Sequence, residues 1–508
     1  MVPVYVGWLS LIPAVIAIGL ALITKEVVFS LVIGIFSGTL IYSAAMGQNL
    51  FFGSIMNFIN ITVQSVDFSV LLLLALLGSL IYLISISGGQ YALGKWVMKH
   101  VKSKTGVLIA STIASCCIFI SPSFHILSVG AVIRPLCDSA KVSRAKLAYI
   151  LDATAAPTAC IAPVSTWIAG IIATFPATTL FSNGLAAFYQ SIPWNMYCLA
   201  SIFMSFWVAF PRHDFGSMVA YERKADTGDL GIAGDESIGQ LKEGDIKGGI
   251  IDMVLPLALL LVLTFVFILY TGGMWQTTNV ITEAMAKTST TKAMCDATLV
   301  TLILTGFFYV VRKIIDFKTF LNSLAMGTIS MVNISIIIVL AWSISGVCRK
   351  LLLTGDFVSN LIQNSNFTLG FLPVMLFFIS CLLSFATGSS WGTFGIVLPL
   401  AFSICETVAP ELIVIGIAAV LGGSTFGDHC SPISDTTVMA SGVADVNHIV
   451  HVGTQLPYAL TCAFAASAGY LVAGFTANIM LTLIVFISVL LGVSIVWARI
   501  SNRKSETV

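Results

Sequence analysis

The chain has 508 residues, 57% of them hydrophobic and only 9% charged, with a mean hydropathy of +1.00. Soluble domains carry about 25% charged residues, so a water-facing globule is excluded and a polytopic protein of the lipid bilayer is indicated. A net charge of +1 leaves no basic patch or stripe, which argues against nucleic acid as a partner.

A membrane span needs ~20 apolar residues. The first apolar run, 6–23, is expected to be a retained span rather than a cleaved leader, and it ends at Lys25-Glu26, a pair placed to snorkel at a helix junction. The second, 27–42, holds Gly34 and Gly38 four apart, a spacing that lets helices approach closely. A third runs from 67 to 87. Residues 88–105 carry Lys95, Lys99, Lys102 and Lys104 and suit an amphipathic interfacial helix. The run 106–120 is too short to cross. It stops at Ser121-Pro122-Ser123 and resumes to Leu136, which predicts a re-entrant hairpin buried in protein or lining water. Residues 147–175 are apolar but contain Asp152, Pro157 and Pro163, the pattern of an interrupted helix. A further span is expected to end at Phe210. Residues 211–248, with eight acids and five Lys or Arg, read as a hydrophilic linker without chemistry. A span follows at 249–270, then a polar excursion to 296 and a second series of spans. The eleven cysteines show no paired CxxC and are expected to be apolar packing residues.

Two segments match at an offset of 266, with Ser121-Pro122-Ser123 falling on Thr387-Gly388-Ser389 and Gly88-Gly89 on Thr354-Gly355. Slightly further on, Asp152 and its Pro/Thr/Ser tail meet Asp428 and its tail. The chain therefore divides into a first repeat, 1–210, the linker 211–248, a connecting segment 249–296 and a second repeat, 297–508. The first repeat's connectors are basic, whereas their counterparts at 361–370 and 405–411 hold no Lys or Arg. Basic connectors prefer the cytoplasmic face, so the repeats are expected to be inverted. Arg312-Lys313 and Arg349-Lys350 run against that reading. Paired interruptions of this kind point to a transporter with its site at the repeat interface.

The candidate site gathers the polar residues of these breaks. Asp428, Asp435 and Asp152 are the candidate ion- and proton-coupling groups, because intramembrane carboxylates mark ion paths and can hold either Na+ or H+. Pro432, between Asp428 and Asp435, predicts a discontinuous helix there. Candidate oxygen ligands or substrate contacts are Ser121, Ser123, Thr154, Ser165 and Thr166 in the first repeat. In the second they are Thr387, Gly388, Ser389, Ser390, Ser431, Ser434, Thr436 and Thr437. His429 is read as a tuner of Asp428 or a structural partner, and His125 more as structural. His448 and His451 are expected at the interface, and Trp167 and Trp391 in the core, with a lining of the substrate cavity as their second reading.

These segments, 24–38 (TKEVVFSLVIGIFSG), 151–167 (LDATAAPTACIAPVSTW), 384–400 (SFATGSSWGTFGIVLPL) and 422–441 (GGSTFGDHCSPISDTTVMAS), resemble the NhaC-type sodium/proton antiporter family. The resemblance implies an all-α, elevator-like transporter with re-entrant hairpins, a homodimer in a prokaryotic cytoplasmic (inner) membrane. It implies Na+ and H+ as transported or coupling ions and no cofactor. The expected function is Na+/H+ antiport. The alternative is sodium- or proton-coupled movement of a small organic acid or amino acid, for which the motifs supply no arginine. A hydrolase is disfavoured because no HExxH element accompanies His429 and the internal repeat would be left unexplained.

Overall fold

The computed structural model describes every residue except 25, 90–91, 93–102, 175–183, 234–247, 277–283, 285–287, 355, 358–359, 361–367, 433 and 507–508. The amphipathic stretch 88–105, its counterpart 361–370 and the Lys25-Glu26 pair thus fall wholly or partly outside the described residues. Among the described residues, ten helices are long and apolar enough to cross a membrane, or eleven if one bent pair counts as a single span. The protein is an all-α polytopic membrane protein.

The first half opens with α1 (Ile12–Thr24), α2 (Val27–Ala45), α3 (Leu50–Ser65) and α4 (Phe68–Ser87). It continues through the antiparallel pair α5 (Lys104–Cys117) and α6 (Pro122–Ser139) to α7 (Arg144–Ile161) and α8 (Thr166–Thr174). Two short helices, α9 (Gly184–Ser191) and α10 (Met196–Trp207), close it. The span expected to end at Phe210 is therefore divided. Pro193 interrupts it, and Asn195 caps α10 by accepting from the Cys198 N–H at 3.4 Å. After α11 (Met218–Asp226) and α12 (Ile251–Thr271), the second half repeats the pattern as α13 (Thr290–Val311), α14 (Phe317–Ser330) and α15 (Val332–Gly346). It ends with α16 (Leu372–Thr387), α17 (Ser390–Val408), α18 (Ile413–Cys430), α19 (Asp435–Ala444), α20 (His448–Thr476) and α21 (Ile479–Glu506). The second series starts earlier than residue 297, because Thr290 already begins α13.

Packing between the halves is reciprocal. Helix α4 lies on α13 and α14, and α15 lies on α2 and α3; α8 packs on α17, and α19 on α6. Gly34 and Gly38 do what their spacing predicts: a Cβ at either would press on Pro13 of α1. Gly388, at φ +63°, ends α16 in the left-handed region and starts the reversal into α17.

The structure corrects the pairing of Asp152 with Asp428. Helices α7 and α18 each span 18 residues, and aligning them puts Ala162-Pro163-Val164-Ser165 on Ser431-Pro432-Ile433-Ser434. Asp428 then falls on Ala159, and Asp435 on Thr166. Asp152 lies mid-helix, nine residues before the break, while Asp428 lies two before its own. The helix runs through Asp152 because its carboxylate bonds side chains of another helix, whereas Pro163 and Pro432 remove the N–H that would carry the helix onward.

The hydrophilic linker carries a helix of its own. Its helix α11 docks on α7 and α21. There Glu222 meets Lys104 Nζ at 2.9 Å and Lys146 Nζ at 3.4 Å, and accepts from the Ser143 N–H at 2.9 Å. Burial opposes the Glu222 charge, but the two lysines and the amide outweigh it and hold the carboxyl below its usual range. The eleven cysteines are all unpaired and nine are buried.

Candidate functional site

The breaks of both halves meet around one cavity of about 470 Å³. The first residues of four helices line it: Pro122 and Ser123 of α6, Thr166 and Trp167 of α8, Ser390 and Trp391 of α17, and Asp435 and Thr436 of α19. Ser121, Gly388 and Ser389 line it from the two turns. Its far wall is α4, with Gly78, Tyr82 and Ser85, and the α14–α15 junction, with Ser330 and Asn333. Four helix N-termini bring the positive ends of four dipoles to one place, which favours negative charge there. That charge is supplied by Asp428 and Asp435. No Lys, Arg or His is among the described lining residues.

Asp428 is 3% exposed, and both of its oxygens are engaged. Ser390 Oγ, at the start of α17, lies 2.9 Å from Oδ2, and Ser434 Oγ, the cap of α19, donates to Oδ1 at 2.7 Å. Ser390 Oγ also lies 3.1 Å from the Ser424 carbonyl, which accepts from Ser384 Oγ at 2.5 Å. One hydroxyl carries one hydrogen, so Ser390 can serve the carboxylate or the carbonyl but not both. Thr436 Oγ1 lies 3.0 Å from Ser434 Oγ, and Thr437 Oγ1 donates to the Asp428 carbonyl at 3.4 Å. The result is a knot of oxygens drawn from the α16–α17 turn and the α18–α19 break. Asp435 is exposed to the cavity and accepts only from the Thr436 N–H, at 3.0 Å, among its described bonds.

Other predicted residues turn elsewhere. Ser165 caps α8, accepting from the Ile168 N–H at 3.1 Å and donating to the Ala159 carbonyl at 2.7 Å. Thr154 donates to the Ile150 carbonyl at 2.5 Å and meets His125 Nε2 at 3.2 Å, and Thr387 donates to the Leu383 carbonyl at 2.9 Å. Ser431 is buried in the break itself and does not line the cavity. His429 faces away from the Asp428 carboxylate. Its Nε2 donates to the Asp152 carbonyl at 2.9 Å, and its Nδ1 takes the Tyr197 hydroxyl at 3.1 Å.

Asp152 is fully buried and lies apart from the cavity that Asp428 and Asp435 line. One expectation is corrected. His451 is not interfacial: it is fully buried, with Nε2 3.3 Å from Asp152 Oδ2, because its side of α20 faces α7 rather than the membrane surface. Trp167 is buried in the core with Trp391 packed against it, ring centroids 5.8 Å apart, and both also wall the cavity, because each opens the helix that follows a break. Sequence reasoning missed the Ser424 carbonyl and Gln455. A main-chain acceptor has no residue signature, and a glutamine inside a long apolar helix was the available sign of the other.

The Na+/H+ antiporter family model matches residues 158–475. A curated but uncharacterised protein of Haemophilus influenzae is 36% identical over 492 residues, covering 92% of this chain and 91% of that protein. A shorter stretch of 101 residues is 35% identical to the malate-2H(+)/Na(+)-lactate antiporter of Bacillus subtilis, covering 19% of this chain and 21% of that one. Among solved structures, the efflux pump MtrF of Neisseria gonorrhoeae shares the fold. Its TM-score is 0.52 over 84% of this chain and 85% of that one, at 12% identity. With its multi-pass helices, its paired breaks and a family match over more than half its length, the chain belongs to the Na+/H+ antiporter family of membrane transporters.

Proposed function

We propose that this protein exchanges Na+ for H+, with Asp428 as the carboxylate that binds the two in turn. The observation that carries the reading is the oxygen shell of Asp428, with Ser390 Oγ at 2.9 Å and Ser434 Oγ at 2.7 Å beside a shared carbonyl at the edge of the cavity. Hydroxyl oxygens that donate to an ionised carboxylate can rotate and present lone pairs to a sodium ion instead. Hard cations favour such all-oxygen shells. A proton on Asp428 removes the charge that holds sodium, so the two ions compete for one group. Asp435, exposed to the same cavity, is the entry carboxylate. Family membership supports this reading.

The reciprocal packing of the halves supports an inverted repeat. Arg312 and Arg349, which ran against inversion by charge, are each paired with an acid, Arg312 with Asp252 and Arg349 Nη2 with Glu406 at 2.7 Å. In this reading the four breaks move as one body against α4, α14 and α15, in a prokaryotic inner membrane and as a homodimer. Lys141 and Glu411 are exposed at equivalent connectors. Single cysteines at 141 and 411, in the variants Lys141→Cys and Glu411→Cys, are expected to react with an impermeant thiol reagent from opposite sides of a sealed vesicle. Labelling from one side would refute inversion.

A second reading is favoured by the cavity itself. A volume of about 470 Å³ exceeds what one ion needs, and Trp167 leaves its buried indole N–H without a partner. A small organic acid or amino acid could fill it, as the name of the Bacillus relative suggests, with sodium or protons as coupling ions. Proteoliposomes separate the two readings. An imposed sodium gradient is expected to drive a pH change with no organic solute present. A pH change that waits for an added acid or amino acid would replace the first reading with the second.

A further inference from the structure

Behind the cavity, α7, α18 and α20 enclose a second polar cluster that the Asp428 shell does not use. Asp152 is fully buried; its Oδ2 accepts from Gln455 Nε2 at 2.7 Å and meets His451 Nε2 at 3.3 Å, while Oδ1 has no partner. Gln455 spends its other amide hydrogen on the His429 carbonyl at 2.5 Å, which leaves its Oε1 without a partner. With the Nε2 hydrogen directed at Asp152, a neutral His451 carries a lone pair at Nδ1, and that atom also is unpartnered. Among the described residues, three acceptor atoms, one on Asp152 and one on each of the two side chains bonded to it, therefore stand buried and unsatisfied.

Charge makes the same point. Counted with neutral histidines, the cluster holds one full negative charge out of reach of water, which is costly unless a positive charge compensates it. Among the described residues, the neighbouring helices supply no unpaired fixed cation, and Arg134 of α6 is held by Asp445 at 3.1 Å. On α6, His125 is held between the Ile118 carbonyl at 3.1 Å and Thr154 at 3.2 Å. On α18, His429 has both ring nitrogens engaged, one by Tyr197 of α10. Arg144 and Lys146, two turns earlier on α7, are paired with Asp138 at 2.8 Å and Asp214 at 2.7 Å. The Asp428 and Asp435 carboxylates add only negative charge.

We propose that Asp152, His451 and Gln455 form a second buried site, separate from the cavity, that holds one monovalent cation: either H+, released when sodium binds at Asp428, or a second Na+, held alongside the first. A proton would sit on Asp152 Oδ1 or His451 Nδ1; a sodium ion would use Asp152 Oδ1 and Gln455 Oε1. The link between the sites is short: His429, next in the chain to Asp428, donates to the Asp152 carbonyl and accepts Gln455 on its own. The release step rests on the reading of Asp428 given above; the existence of the site does not.

The test counts charges on purified full-length protein. Radioactive sodium bound per chain at saturation and protons released on sodium addition are measured for the parent, Asp152→Asn and Asp428→Asn. If sodium is the occupant, Asp152→Asn is expected to bind one sodium fewer per chain. If a proton is the occupant, it keeps its sodium count and releases about one proton fewer. An Asp152→Asn protein that keeps both counts overturns the proposal. An Asp428→Asn protein that binds as many sodium ions per chain as the parent overturns the Asp428 reading instead, and leaves the Asp152 counts to be judged by themselves. Should Asp152→Asn not fold, His451→Gln retains a donor to Asp152 but removes the ring lone pair. It is expected to shift the pH midpoint of proton release or weaken sodium binding at least tenfold, and no change in either overturns the site.

Discussion

Replacing Asp428 by asparagine is expected to abolish sodium-driven proton movement while leaving the protein folded. Asparagine has nearly the same shape, and Ser390 can turn its hydrogen to the Ser424 carbonyl, already 3.1 Å away. What disappears is the charge. Removing one partner of a buried charged pair costs about 3–5 kcal/mol. At about 1.4 kcal/mol per tenfold, this weakens sodium binding by roughly two to three and a half orders of magnitude. The measurement is the initial rate of pH change in proteoliposomes under a sodium gradient, with size-exclusion behaviour and thermal unfolding as controls for folding. A rate within tenfold of the parent would remove Asp428 from the cycle. Ser390→Ala and Ser434→Ala each delete one hydroxyl and are expected to cost less, about 1–3 kcal/mol apiece.

The second large effect is expected at Gly427, through packing alone. Helix α18 lies along α16 so closely that a Cβ at Gly427 would come 2.5 Å from the Cys381 carbonyl, the Phe385 nitrogen and Ser384 Cβ. Gly423, one turn earlier, faces the Phe377 carbonyl in the same way. Two of the three obstacles at Gly427 are main-chain atoms, which cannot rotate aside, so α18 would have to lift from α16. Overpacking of this kind costs about 1–3 kcal/mol and occasionally more. Gly427→Ala should lower the unfolding temperature clearly, and Gly427→Leu should prevent stable folding. Because Ser424 and Asp428 flank Gly427, the lift also separates the Asp428 carboxylate from Ser390. Gly427→Ala is thus expected to lose sodium affinity even well below its melting point. Gly453 in α20 has nothing within 4 Å of its would-be Cβ and serves as the control. Equal melting temperatures for Gly427→Ala, Gly453→Ala and the parent would refute the packing argument.

Much of this architecture was legible in the residues. The bilayer follows from composition, because a chain with 9% charged residues cannot cover a water-facing surface. Breaks at Ser121-Pro122, Pro163, Gly388-Ser389 and Pro432 follow from local chemistry: proline has no N–H to continue a helix, and glycine allows the left-handed turn that Gly388 adopts. Asp428, Asp435, Ser390, Ser434 and the two turns could be nominated because polar groups inside apolar runs are too costly to be incidental. Tertiary structure alone decided which of them meet. An offset read from matching letters set Asp152 against Asp428, and only the lengths of the two broken helices place Ala159 there. His451 looked interfacial because, within α20, nothing in the local sequence tells which side faces α7. Gln455 acquires meaning only beside a carboxylate 303 residues earlier. Local sequence specifies where a helix stops and which groups are expensive to bury. Which of those groups then share a charge depends on contacts between segments hundreds of residues apart, a relation that no single stretch of the chain contains.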